Sequence, residues 1–124
     1  MGYDNRPITT TCQGPNIPPA YAVVDAFEGV AVPQPSDVTQ VGDGLFYTVS
    51  QVGTISRVHR DGSSWKSKVM LDLSAKLAPE HLEGGALSIT LSPDFATSGF
   101  VYVSYTGKSP TSLFRLVVSR FKVE

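Results

Sequence analysis

The sequence holds a single cysteine, Cys12, among its 124 residues. One thiol cannot close an internal disulfide, nor can it supply the clustered ligands of a structural zinc site. Cys12 reads as a free thiol, or as half of a bridge to a cysteine outside the chain. Histidine is nearly as scarce, at two residues, which excludes a His-rich metal centre. Charge is sparse as well: charged side chains are 17% of the total and the net charge is −1. There is no basic run to follow a phosphate backbone, so nucleic acid is not an expected partner. No apolar run approaches the ~20 residues of a membrane-crossing helix. The first residues, Met1-Gly2-Tyr3-Asp4-Asn5-Arg6, lack the apolar core of a signal peptide. That start fits a cytoplasmic protein, or a mature or recombinant form whose leader has been removed.

What the chain does have is turn chemistry between short apolar runs. There are 9 prolines and 11 glycines, with 41% hydrophobic residues, enough for one domain with a real core. The stretch Glu83 to Tyr105 is the clearest. Leu87, Ile89 and Leu91 alternate with Ser88, Thr90 and Ser92, the period of a strand with one apolar face. Pro93 cannot donate to a ladder and stops it. Asp94, Ser98 and Gly99 supply a turn, with Asp94 as its side-chain acceptor. Phe100 to Tyr105 is a second strand, rich in β-branched and aromatic residues.

The same reading extends along the chain. Residues 1–20, with Pro18-Pro19, form an irregular arm. Tyr21 to Val32 reads as a strand broken near Gly29. Strands are predicted over Ser36–Val41, Leu45–Val49, Thr54–Arg60 and Trp65–Leu73, the last with Val69, Leu71 and Leu73 on one face. Gly42-Asp43-Gly44, Ser50-Gln51-Val52-Gly53 and Asp61-Gly62 are the turns between them. Ser74 caps at most one helical turn before Pro79. After a loop over 107–112, a final strand runs from Leu113 to Val123. Ser36–Val49 and Leu87–Ser104 are similar hairpins offset by about 50 residues, a period in the range of propeller blades. A small β-sandwich would give comparable spacing. On the blade reading, Ser36–Leu73 is one complete blade and Ala86–Glu124 supplies only three strands. The expectation is then that blades outside the chain complete it.

The wording of these motifs is more specific than their period. Glu83-Gly84-Gly85-Ala86-Leu87, then Pro93-Asp94-Phe95-Ala96-Thr97 and Gly99-Phe100-Val101-Tyr102-Val103-Ser104-Tyr105, resembles the glucose/sorbosone dehydrogenase family. Pro35-Ser36-Asp37-Val38-Thr39, Gly53-Thr54-Ile55, Leu71-Asp72-Leu73-Ser74 and Val118-Ser119-Arg120-Phe121-Lys122-Val123 resemble it in the same order. The resemblance covers Tyr21 to Val123. It implies an all-β fold of four-stranded antiparallel blades, about one and a half to two blades of a six-bladed β-propeller, not closed as a ring. Residues 1–20 stay an arm, and 21–124 are the N-terminal blades. It also implies a secreted or periplasmic sugar dehydrogenase using pyrroloquinoline quinone (PQQ) and calcium.

The family's general base is a histidine in a D-H-x-x-G-x-[LI] motif after V-S-R-F, and its quinone and calcium ligands come later still. None of these positions lies in the chain. No catalytic and no metal residue is therefore assigned, and neither PQQ nor calcium is expected on this chain alone. One substrate- or cofactor-facing candidate remains, Glu83, where the family's soluble glucose dehydrogenases have a glutamine. A carboxylate at a strand start can accept a sugar hydroxyl's hydrogen bond; the plain alternative is a solvated loop residue. His59 reads as a surface or interface residue and His81 as a loop residue, neither in the context of the base. Trp65 and Met70 read as packing. Two functions stay open: part of a PQQ-dependent aldose dehydrogenase, active only when completed by further blades, or a non-catalytic binding or assembly module that pairs through its strand edges, with other chains or further copies of itself.

Overall fold

The structure is a computed structural model that describes residues 24–78, 84–112 and 115–123. The arm over 1–20, Cys12, His81, Glu83 and the limiting role of Pro79 lie outside the described residues. Among the described residues, seven strands follow one another in order. They are β1 (Pro35–Gly42), β2 (Leu45–Ser50), β3 (Thr54–Asp61), β4 (Ser64–Asp72), β5 (Ala86–Leu91), β6 (Phe100–Gly107) and β7 (Arg115–Lys122). Each pairs antiparallel with its neighbour in sequence. The result is a four-stranded sheet, β1-β2-β3-β4, and a three-stranded sheet, β5-β6-β7.

The strands form where the period-2 pattern placed them, and the turns form where glycine permits. Gly44 and Gly62 take φ of 61° and 62° at the β1–β2 and β3–β4 turns, a region glycine enters without a Cβ clash. Between β5 and β6 the expected turn tightens into one helical turn, α1 (Phe95–Ser98), closed by Gly99 at φ 66°. Asp94 acts there as the sequence suggests. Its carboxylate accepts hydrogen bonds from the Ser92 and Ser98 hydroxyls.

Three local expectations are corrected. The described part of the Tyr21–Val32 stretch is no strand but a turn over residues 26–29. Asp25 Oδ1 accepts the Phe27 N–H at 3.0 Å, and Phe27 O accepts the Val30 N–H at 2.8 Å. Aspartate competes for the backbone that a strand would need. Ser74 is also not the cap of its turn: it is the first residue of the 3-10 turn Ser74–Lys76, and the Asp72 carboxylate accepts its N–H at 2.8 Å. Finally, Val69 does not share a face with Leu71 and Leu73. A bulge opposite Ile55 and Ser56 inserts Met70 into β4, leaving Val69 53% exposed and Leu73 1%.

The two sheets pack face to face. Tyr47, Val49 and Ile55 of the first meet Ala86, Ile89, Val101, Val103 and Tyr105 of the second, all buried. Trp65 and Met70 are packing residues, as their sequence context suggests. Trp65 lies in an aromatic group with Phe27 and Phe46, ring centroids 5.1 Å and 5.9 Å away, under the Arg60 guanidinium. Met70 packs against the core between the sheets.

A polar clasp joins the two first strands. Ser36 Oγ donates to Ala86 O at 2.9 Å, and Asp37 Oδ2 accepts the Ile89 N–H at 2.9 Å. Both strands are bulged at this point, between Pro35 and Asp37 and between Ala86 and Ser88. The bulge in β5 aims the Ile89 N–H out of its own ladder, and Asp37 takes it up. Asp37→Ala removes a charged acceptor from a half-buried donor. It is expected to lower stability by about 1–2 kcal/mol, seen as an earlier urea midpoint at unchanged slope.

Candidate functional site

The ends at which β1 and β5 begin lie together, with the β2–β3 turn and the segment that leaves β4. Backbone hydrogen bonds knit this end. Leu73 donates to Gly53 O at 2.9 Å, Ala86 to Gln51 O at 3.0 Å, and Ala78 to Thr106 O at 2.9 Å. Gln34, in a left-handed conformation at φ 43°, accepts the Gln51 N–H at 2.9 Å. Ser50 Oγ donates to Pro33 O.

Gly84-Gly85 sits at the centre of this network. Gln51 Nε2 donates to Gly84 O at 2.8 Å. Gly85 donates its N–H to Thr106 Oγ1 at 2.7 Å and accepts the Thr106 N–H at 2.9 Å. Gly85 holds φ 122°, and a Cβ on it would lie 2.2 Å from Gln51 O. Glycine at position 85 is therefore demanded by a close backbone approach and not by turn flexibility alone. Whatever precedes it in the chain starts from a fixed point. The candidate Glu83 is its immediate neighbour and lies outside the described residues.

Among the described residues the other sequence candidates do not converge here. His59 is half-buried on β3, paired with Leu45 and Lys66, with Nδ1 enclosed and without a partner among the described residues. Asp94 lies beside α1, away from the starts of β1 and β5. Gln51, Thr106 and Asp37 are the residues that sequence reading missed. Each acts on a partner 21 to 52 positions away, and no local pattern marks such a contact.

The titrating groups with resolved shifts are structural. Hydrogen bonds from Ser92 and Ser98 hold the Asp94 carboxyl below the ordinary aspartate range. Those from the Ser74 hydroxyl and backbone do the same for Asp72. Burial raises the Tyr47 hydroxyl, partly offset by the positive charge of Arg57. A folded-state value below the unfolded one stabilises at neutral pH and is lost as pH falls through the folded value. Thermal midpoints are thus expected to fall on acidification below the ordinary aspartate range, and Asp94→Asn should flatten part of that fall. A midpoint-against-pH curve unchanged in the variant would contradict the assignment.

No group of three His, Cys, Asp or Glu side chains among the described residues could hold a metal ion. No helix among them is long and apolar enough to cross a membrane. The strand-start end of the described residues presents backbone groups, an amide and hydroxyls.

The sequence pattern of the glucose/sorbosone dehydrogenases matches residues 32–124. The chain belongs to the glucose/sorbosone dehydrogenase family. Among solved structures it is similar to the aldose sugar dehydrogenase of Streptomyces coelicolor in its PQQ-bound form. Identity is 28% and the TM-score 0.57, over 71% of this chain and 25% of that one. The chain thus spans about a quarter of the length of that relative. No curated protein matches it. As expected of a family member, the fold is all-β, and its sheets correspond to propeller blades, with four and three strands among the described residues.

Proposed function

We propose that the chain is the N-terminal part of a PQQ-dependent aldose dehydrogenase, active once further blades complete the propeller. The observation that carries the proposal is the family match over 32–124 together with likeness to a PQQ-bound relative of which the matched part of this chain covers 25%. Residues 1–20 are an arm and 21–124 the first blades. Bound PQQ would supply the hydride acceptor for oxidation of the sugar to a lactone. By the family resemblance, the quinone and calcium ligands would come from blades that follow these residues. What this chain contributes is the rigid strand-start end around Gly84-Gly85, which sets the origin of Glu83. Glu83 would accept a hydrogen bond from a sugar hydroxyl. A secreted or periplasmic location goes with this reading.

The test begins with the mass of the native material, intact and then denatured. The proposal expects an assembly or polypeptide larger than this chain, with sugar oxidation that requires added PQQ and calcium. In that whole protein, Glu83→Ala should raise KM for the sugar about tenfold or more while the PQQ requirement is unchanged. A completed propeller that oxidises no sugar with PQQ present rules the proposal out. The second reading, a non-catalytic module pairing through its strand edges, is favoured by one feature: Leu116 and Val118 on the last strand are 67% and 66% exposed. It predicts association with another polypeptide, or with further copies, and no quinone binding.

A further inference from the structure

The peptide that joins Gly84 to Gly85 is held on both sides by side chains, one from the β2–β3 turn and one from β6. On its carbonyl side, Gln51 Nε2 donates to Gly84 O at 2.8 Å. On its amide side, the Gly85 N–H donates to Thr106 Oγ1 at 2.7 Å. Both holding residues are fixed through their own backbones. The Gln51 N–H donates to Gln34 O at 2.9 Å, and Gln51 O accepts the Ala86 N–H at 3.0 Å. The Thr106 N–H donates to Gly85 O at 2.9 Å, and Thr106 is buried. A peptide between two glycines is otherwise easy to turn over, because no flanking Cβ obstructs either orientation. Turning this one over would carry Gly85 from φ 122° to negative φ, a region open to residues in general. It would also point Gly84 O away from Gln51 Nε2 and the Gly85 N–H away from Thr106 Oγ1. The backbone alone leaves two orientations, and the two side chains select one.

We propose that Gln51 and Thr106 are positioning residues for the sugar: their side chains lock the Gly84–Gly85 peptide in one orientation and so fix the direction in which the chain reaches Glu83. The lock stands on the hydrogen bonds, while its effect on the sugar rests on the dehydrogenase reading and the role given there to Glu83. The chemistry of each position is specific. Residue 51 must donate to a carbonyl, which an amide does and a thioether of similar length does not. Residue 106 must accept from an N–H, which a hydroxyl does and a methyl does not. Replacing either side chain leaves the backbone bonds of Gln51 and Thr106 in place, so the expected fault is misdirection of Glu83 and not separation of the sheets.

The test compares Gln51→Met, Thr106→Val and Thr106→Ser in the whole protein. Hydrogen exchange at the Gly85 amide is the first readout, and it involves no sugar. Thr106→Val removes the acceptor of that amide. Gln51→Met touches only the far side of the peptide, yet it should also speed exchange at Gly85, about tenfold, because freeing one side lets the plane turn. Amides of β3, a strand paired on both sides, should be unchanged, which separates loss of the lock from general destabilisation. The second readout is kinetic. Gln51→Met and Thr106→Val should each raise KM for the sugar about fivefold, with kcat within about twofold of the parent. Thr106→Ser should restore KM, and neither change should raise KM further when added to Glu83→Ala. Unchanged exchange at Gly85 in Gln51→Met overturns the proposal. So does faster exchange with KM unaltered, or an effect that adds in full to that of Glu83→Ala. A whole protein that oxidises no sugar defeats the dehydrogenase reading instead, and exchange at Gly85 still decides the lock.

Discussion

Gly85→Ala is expected to be among the most damaging single substitutions in the chain, at about 3–5 kcal/mol. Two costs add. The backbone sits at φ 122°, a conformation that residues with a side chain rarely adopt. The new Cβ would also lie 2.2 Å from Gln51 O and 2.7 Å from Gln51 Cγ. The amide side chain can swing away; the carbonyl cannot, because it accepts the Ala86 N–H at 3.0 Å. Relief therefore means moving Gly85, which breaks its paired hydrogen bonds with Thr106. Gly62→Ala is the control. That glycine also has positive φ, 62°, but a Cβ there meets nothing within 4 Å. It should lose only the backbone cost, about 1 kcal/mol. Urea denaturation of both variants measures the difference, and equal losses would show that the clash at Gly85 relaxes freely.

Ile55→Ala should cost about 2–5 kcal/mol, the range for deleting a large aliphatic side chain from a packed core. Ile55 is fully buried in the group that joins the two sheets. Its strand is held on both sides, by Val49 of β2 and Leu71 of β4, so the backbone cannot close on the cavity. Val69→Ala, on the same sheet but 53% exposed, should change stability by less than about 0.5 kcal/mol. A lower urea midpoint for Ile55→Ala with an unchanged slope confirms the loss as one of packing. A lower slope would mean that the sheets no longer unfold together.

Strand positions were legible because each obeys a local rule. Alternation, Pro93 and the Gly-containing turns put β1 to β6 within two residues of their observed ends. The expected start of the last strand, Leu113, falls outside the described residues, and its body is β7. The misreadings have a common origin in backbone groups that find unexpected partners. Asp25 draws the backbone of Phe27 into a turn, and the extra residue Met70 shifts β4 by one place, moving Val69 away from Leu71. Neither leaves a mark in apolar periodicity. The strand-start end was legible only as the words Glu83-Gly84-Gly85. Why Gly85 must be glycine depends on Gln51, 34 positions earlier, and on Thr106, 21 positions later. Long-range pairs of this kind are set by the stacking of two sheets, which no window along the chain can see.

Because every strand among the described residues pairs only with its neighbours in sequence, each sheet can form from contiguous chain. The first requires nothing beyond Asp72 and the second nothing before Ala86. Contacts between close neighbours carry a small loop-closure penalty, so low contact order favours rapid formation of each meander. Docking is the step that spans distance, and Asp37 with Ile89, 52 positions apart, belongs to it. During synthesis, the first sheet can therefore complete itself on the ribosome while the second is still being made. Its apolar face waits uncovered for that interval, which makes the period between the two sheets the chain's moment of greatest exposure to aggregation.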